Sequence, residues 1–175
     1  MNHTQRRPVT LLLALGLSLT ALTSCANAQT TTSRTSGAVG AQPTVAELRA
    51  GVVAAVHANH ELSVDVLWTN RIPTDAGKST RGPALTALRA SAAQREKQGV
   101  RVRMLHDTYR IISVRLNKAR TTATAVAQSI QKLAPSHLNG KPLGRPIELN
   151  ERASLLLHRL GSSRTFVVWK VDLIK

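Results

Sequence analysis

The sequence predicts an α+β domain in which N-terminal helices pack on a curved antiparallel sheet of about four strands. Between Thr44 and Gly99 apolar residues recur at the helical period, and beyond Gly99 they alternate with polar ones at period two. Turn residues then cut the second half into successive strands, so helices come first and a strand meander follows.

Ahead of the domain, residues 1–24 read as an export signal. Arg6 and Arg7 form a positive start, and Val9 to Leu22 is an apolar run followed at once by small residues. That run is broken by Gly16, Ser18 and Thr20, and it falls short of the about 20 apolar residues that a spanning helix needs. Two cleavage sites compete. Leu22-Thr23-Ser24-Cys25 resembles the lipobox of bacterial lipoproteins, in which the cysteine thiol is acylated (diacylglyceryl, palmitate) and becomes the first residue. Ala26-Asn27-Ala28 before Gln29 fits an ordinary signal peptidase site, which would release a freely secreted basic protein. Cys25 is the sole cysteine of the chain and stands where the apolar run ends, which favours lipid attachment at Cys25. The expected location is then the bacterial cell envelope, outside the cytoplasm, in the outer leaflet of the plasma membrane or in an outer membrane. Residues 25–43 carry the lipidated cysteine and a Thr/Ser/Ala/Gly/Gln-rich tether with no apolar period. Residues 44–175 are long enough for one domain with one core, and with no free thiol that core must be stabilised by packing.

Thr44-Val45-Ala46-Glu47 is a capping box. The helix it starts is expected to run to about Asn59, with Leu48, Val52, Ala55 and Val56 on its apolar face and Glu47, Arg49 and His57 outside. Glu61 to Trp68 reads either as a strand, by the alternation of Leu62, Val64, Val66 and Trp68, or as a short helix. Pro73 to Gly82 is loop. A second helix starts at Pro83 and stops at Gly99, with Leu85, Leu88 and Ala92 inward and Arg89, Arg95 and Lys97 outward. In the first strand Val100, Val102 and Met104 share their parity with Ile112, Val114 and Leu116, whereas Arg101, Arg103, Ser113 and Arg115 take the other. A bend, bulge or turn is expected around His106-Asp107-Thr108. Asn117-Lys118 offers a tight hairpin turn, Ala119 to Lys132 a second strand, and Pro135 to Pro146 a loop. The third strand covers Ile147 to Leu160, with Leu155 and Leu157 opposite Leu156 and His158. After Gly161-Ser162-Ser163, the last strand is expected to place Val167, Trp169, Val171 and Leu173 on one side and Lys170 and Asp172 on the other.

The formal charge is +15 and falls by two, to +13, when Arg6 and Arg7 leave with the signal. Such a surface attracts anionic lipid headgroups or anionic wall polymers, although charge of this kind also serves solubility alone. Specific nucleic-acid binding is disfavoured, because the aromatics are two Trp, one Tyr and one Phe and provide no clustered stacking platform.

The Gly82-Pro83-Ala84-Leu85 helix start, the Ala119–Ala127 strand and the final Trp169-Lys170-Val171 make residues 44–175 resemble the cone-shaped domains of the nuclear-transport-factor-2-like superfamily. Within it, the strand half is most similar to the membrane-adjacent domain of chloroplast and cyanobacterial division proteins. The resemblance implies a docking or sensing module rather than a catalyst, with an envelope protein as one class of partner.

His57 and His60 stand at metal-ligand spacing, but no His-Glu-x-x-His and no third ligand accompany them, so they read as polar residues ending a helix. His106, Asp107 and Tyr109 form the best chemical constellation. The resemblance implies acid–base work for a Tyr and acidic residues inside a cone, as in isomerase- or dehydratase-like members, but no residue matches those enzymes position by position. Glu151, Arg152 and His158 read as surface ion-pairing residues. No phosphate-cradling Gly-rich loop and no nucleophile elbow occurs. The expected function is therefore a non-enzymatic interaction module without cofactor or metal, contacting an anionic surface through Arg101, Arg103 and Arg115. A small-molecule-binding or acid–base enzyme using the cone is the alternative.

Overall fold

The structure, a computed structural model, describes residues 42–174; the lipobox, Cys25 and most of the tether lie outside the described residues. Helix α1 (Val45–Thr69) and helix α2 (Gly82–Lys97) precede strands β1 (Val100–Leu116), β2 (Thr122–His137), β3 (Ile147–Arg159) and β4 (Phe166–Ile174). The strands form one antiparallel meander in the order β1-β2-β3-β4. An α+β domain with helices ahead of a four-stranded sheet is thus what the chain adopts.

Helix α1 begins with the capping box: the Glu47 backbone N–H donates to Thr44 Oγ1 and the Thr44 N–H to Glu47 Oε2. It does not stop at Asn59. Leu62 and Val66 extend the buried stripe of Leu48, Val52, Ala55, Val56 and Asn59 at spacings of three and four, so Glu61–Trp68 is helix and not strand. The helix ends at Asn70, whose φ of 55° is left-handed.

The main core joins α1 (Leu48, Val52, Ala55, Val56) to Ala123, Ala125 and Ala127 of β2, Leu155 and Leu157 of β3, and Phe166 and Val168 of β4. The alternating alanines of β2 leave room for the helix to approach the middle of the sheet. A smaller cluster (Leu62, Val66, Ala76, Ala92) joins α1 to α2. Arg95 belongs to this junction rather than to solvent. Its Nε donates to Asn70 Oδ1, its Nη2 to the Val66 carbonyl and its Nη1 to Ser91 Oγ. The last turn of α1 carries no basic residue, and Arg95 brings a cation to those terminal carbonyls from the neighbouring helix. Burial lowers the pKa of its guanidinium below the usual value.

Two β-bulges explain the first strand. The register against β2 shifts between Met104 and His106 and again between Ile111 and Ser113. Each extra residue reverses the alternation, so both ends of β1 keep one parity while Asp107, Tyr109 and Ile111 between them face α1. Tyr109 and Ile111 pack on the core, and Ile112, expected inside, is 46% exposed at the second bulge.

The remaining strand limits also differ from expectation. The hairpin turn runs through Lys118–Thr121, with Arg120 at φ 56° and Asn117 Oδ1 accepting from the Thr121 and Thr122 N–H groups, so β2 starts at Thr122. It continues through Pro135 to His137 because the β2–β3 pairing ends at Leu133–Ile147. Beyond that point a proline costs no ladder bond on the vacated side, where the Pro135 carbonyl accepts from Leu143. In β4 the register shifts between the partners Leu156 and Leu157. Phe166 and Val168 therefore share the core with Val171, while Val167 and Trp169 take the other face. Trp169 stacks on His158 at 4.7 Å.

Candidate functional site

The bulge in β1 creates the main polar cluster of the domain. Asp107 and Tyr109 of β1 meet the half-buried His60 and the exposed His57 of α1. His60 Nε2 pairs with Asp107 Oδ2. The His60 ring stacks on Tyr109 at 3.9 Å and 12°, and His57 meets that ring edge-on at 5.8 Å. Asp107 Oδ1 is buried without a protein partner. His106, grouped with Asp107 and Tyr109 by sequence, is exposed and bonds Thr108. The His57/His60 pair thus takes its place, a juxtaposition that no spacing in the sequence encodes. Among the described residues, no group of three or more His, Cys, Asp or Glu is placed to hold a metal ion.

Burial, and secondarily the Asp107 charge, pushes the Tyr109 phenol up to about 12. The phenol ionises less readily folded than unfolded, so its contribution to stability is intact below pH 10, its ordinary pKa, and is lost as pH rises toward about 12. Tyr109 is the sole tyrosine, so the ultraviolet absorbance of the phenolate reads this residue alone. The expected midpoint is well above that of free tyrosine and is lowered by Asp107→Asn, which removes the like charge. A midpoint at the ordinary value would contradict the buried placement.

Beside this cluster lies an open groove of about 680 Å³, lined by His60, Glu61, Val64, Asp65 and Trp68 of α1 and by Arg103, Met104 and Asp107 of β1. The arginines expected to point outward from the sheet divide. Arg115 is exposed at the far end of β1. Arg101 and Arg103 curl against Trp68 at the end of α1, with guanidinium carbons 4.1 and 5.9 Å from the ring centroid. Arg101 is half-buried, and its Nε has no protein partner. Arg103 stays exposed.

Glu151, Arg152 and His158 do not form the expected surface ion pairs: the ion pairs among the described residues are His60–Asp107, Lys78–Asp75, Lys132–Glu148 and Lys170–Asp172. Instead His158 lies on Trp169, and the polar contacts across the opposite sheet face run from Arg110 to Gln128 Oε1 and from Gln128 Nε2 to Asn150 Oδ1.

No family model matches the chain, and no curated protein matches it. Among solved structures, one from Catenulispora acidiphila is 12% identical over 71% of this chain and 93% of its own, with a TM-score of 0.37. The intermembrane-space region of the chloroplast protein ARC6 is also 12% identical, covers 70% of this chain and 93% of that region, and has a TM-score of 0.59. What the chain shares with the ARC6 region is its fold, two helices followed by an open four-stranded antiparallel sheet.

Proposed function

We propose that this protein is a membrane-anchored envelope lipoprotein whose basic, cone-shaped, nuclear-transport-factor-2-like domain docks on an anionic surface without catalysing a reaction. One observation carries the docking: among the described residues the basic partners in ion pairs are His60, Lys78, Lys132 and Lys170, and no arginine is held in one. Apart from Arg95, which is held on the α1 carbonyls, the positive charge of the arginines is therefore not neutralised by a carboxylate within the described fold and is available to an anionic partner. The lipobox at Leu22–Cys25 supports the anchor. It accords with the finding that no described helix is long and apolar enough to cross a membrane. The likeness to a region of a chloroplast protein named for the intermembrane space supports an envelope setting.

The acid–base alternative draws on the His60–Asp107 pair beside the groove. Against it, the carboxylate is engaged by His60, and a phenol held at about 12 is a poor base near neutral pH.

Charge reversal at the exposed Arg103 and Arg115 tests the docking. In a Cys25→Ala parent, which has no acyl anchor, and with about 1 kcal/mol per basic residue near an anionic surface, Arg103→Glu with Arg115→Glu should weaken binding to anionic vesicles or wall polymer by on the order of a hundredfold, and raised salt should weaken that parent. Equal binding by parent and variant would sink the electrostatic reading.

A further inference from the structure

Resting on that reading, we infer that the docking surface is the end of the domain formed by the last turn of α1, the start of β1 and the 138–146 loop, and that it inserts into an anionic lipid bilayer. Large apolar side chains stand exposed there together: Trp68 39%, Leu138 44%, Leu143 42% and Ile147 45%. Scattered exposed leucines need no explanation, but these are gathered. Trp68 and Leu138 line one depression of about 270 Å³ with Thr69, Arg71 and Arg101. The Leu138 N–H is tied to the Gly99 carbonyl, and Leu143 N–H to Pro135. Ile147 pairs with Leu133, next to the same hairpin end.

The segments around these side chains are rich in cations, with Glu96 and Glu148 just beyond their ends. Lys97 to His106 and Leu133 to Ile147 contain no Asp or Glu, and they supply Lys97, Arg101, Arg103, Lys141 and Arg145. Exposed Trp and Leu within a ring of Arg and Lys match an anionic bilayer interface: the apolar tips enter the headgroup–acyl boundary, Trp sits at headgroup level, and the cations meet lipid phosphates. A wall polymer or other polyanion would use the cations alone and leave the leucines idle, which separates the two sources. Asp65 and Glu61, which line the groove with Trp68 and Arg103, do not line the depression that holds Leu138.

The test uses the full chain with Cys25→Ala, which removes the acyl anchor, as parent on phosphatidylglycerol–phosphatidylethanolamine vesicles carrying bromine on the acyl chains, with tryptophan emission as the readout. Trp169 is stacked on His158, outside the proposed surface, so Trp68 should account for the quenching, and Trp68→Phe should remove it. Leu138→Ser with Leu143→Ser, both at exposed positions, should reduce quenching to the Trp68→Phe level. If the parent binds in a charge-dependent way but is not quenched, insertion is wrong, and docking on charge alone, as on a polymer, stands. If Arg103→Glu with Arg145→Glu, both exposed at this end of the domain, binds as the parent does, this inference falls, and if Arg103→Glu with Arg115→Glu also binds as the parent does, the docking reading falls with it.

Discussion

Gly51→Ala should unfold at a markedly lower temperature than the parent, although alanine is the better helix former. Gly51 sits inside α1, where alanine is favoured by roughly 1 kcal/mol. A Cβ there, however, would lie 1.9 Å from the carbonyl oxygen of Arg164 and 3.1 Å from its carbon. These are backbone atoms of the β3–β4 turn, so no side-chain rotation relieves the contact. Displacing the turn also moves Phe166, whose ring stands 3.5 Å from the same point and is 2% exposed in the core. Overpacking of this kind costs about 1–3 kcal/mol and at times more. After the propensity gain, a net loss of about 2 kcal/mol is expected, which lowers the unfolding midpoint by roughly 6–10 °C. Gly77→Ala, where a Cβ meets nothing within 4 Å, is the control. A Gly51→Ala midpoint at or above the parent's would contradict the packing of α1 on the β3–β4 turn.

The helical half of the fold was legible in the sequence except where two signals overlapped. Val64 and Trp68 line a groove rather than the core, and their apolar side chains made the end of α1 alternate like a strand. The stripe of Leu62 and Val66 was the better guide. Arg95 was misplaced because a long cation beside an apolar stripe can reach terminal carbonyls that the sequence does not show. The sheet was legible wherever alternation was unbroken, as in Ala123, Ala125 and Ala127 or Leu155 and Leu157. The first bulge of β1 falls at the break expected beside His106, but the second, at Ile111–Ser113, and the one in β4 were not legible, since no Gly or Pro marks them and the two in β1 cancel in parity. That cancellation also concealed the site. The pairing of His60 with Asp107 depends on one extra residue near Leu105, together with a helix that continues past Asn59. The exposed apolar tip at Leu138 and Leu143 reads only as loop in the sequence, because nothing local tells that Trp68 lies beside Leu138.

Cys25→Ala has the other large expected effect. Each buried CH₂ of an acyl chain contributes about 0.8 kcal/mol, so two or more chains hold a protein where one is marginal. The basic end of the domain supplies a weaker, salt-sensitive attraction. Losing the acyl chains should therefore turn stable membrane attachment into binding that salt can reverse, while the fold of residues 44–174, to which Cys25 does not belong, is retained.

The most direct test of the anchored-module account is the intact mass and membrane fractionation of the native protein beside Cys25→Ala. The account predicts a native form that begins at Cys25, carries added acyl mass and resists salt extraction, and a variant that lacks the mass and is washed from the membrane. A soluble native form beginning at Gln29 with no added mass would contradict it, and a freely secreted basic protein cleaved after Ala28 would take its place.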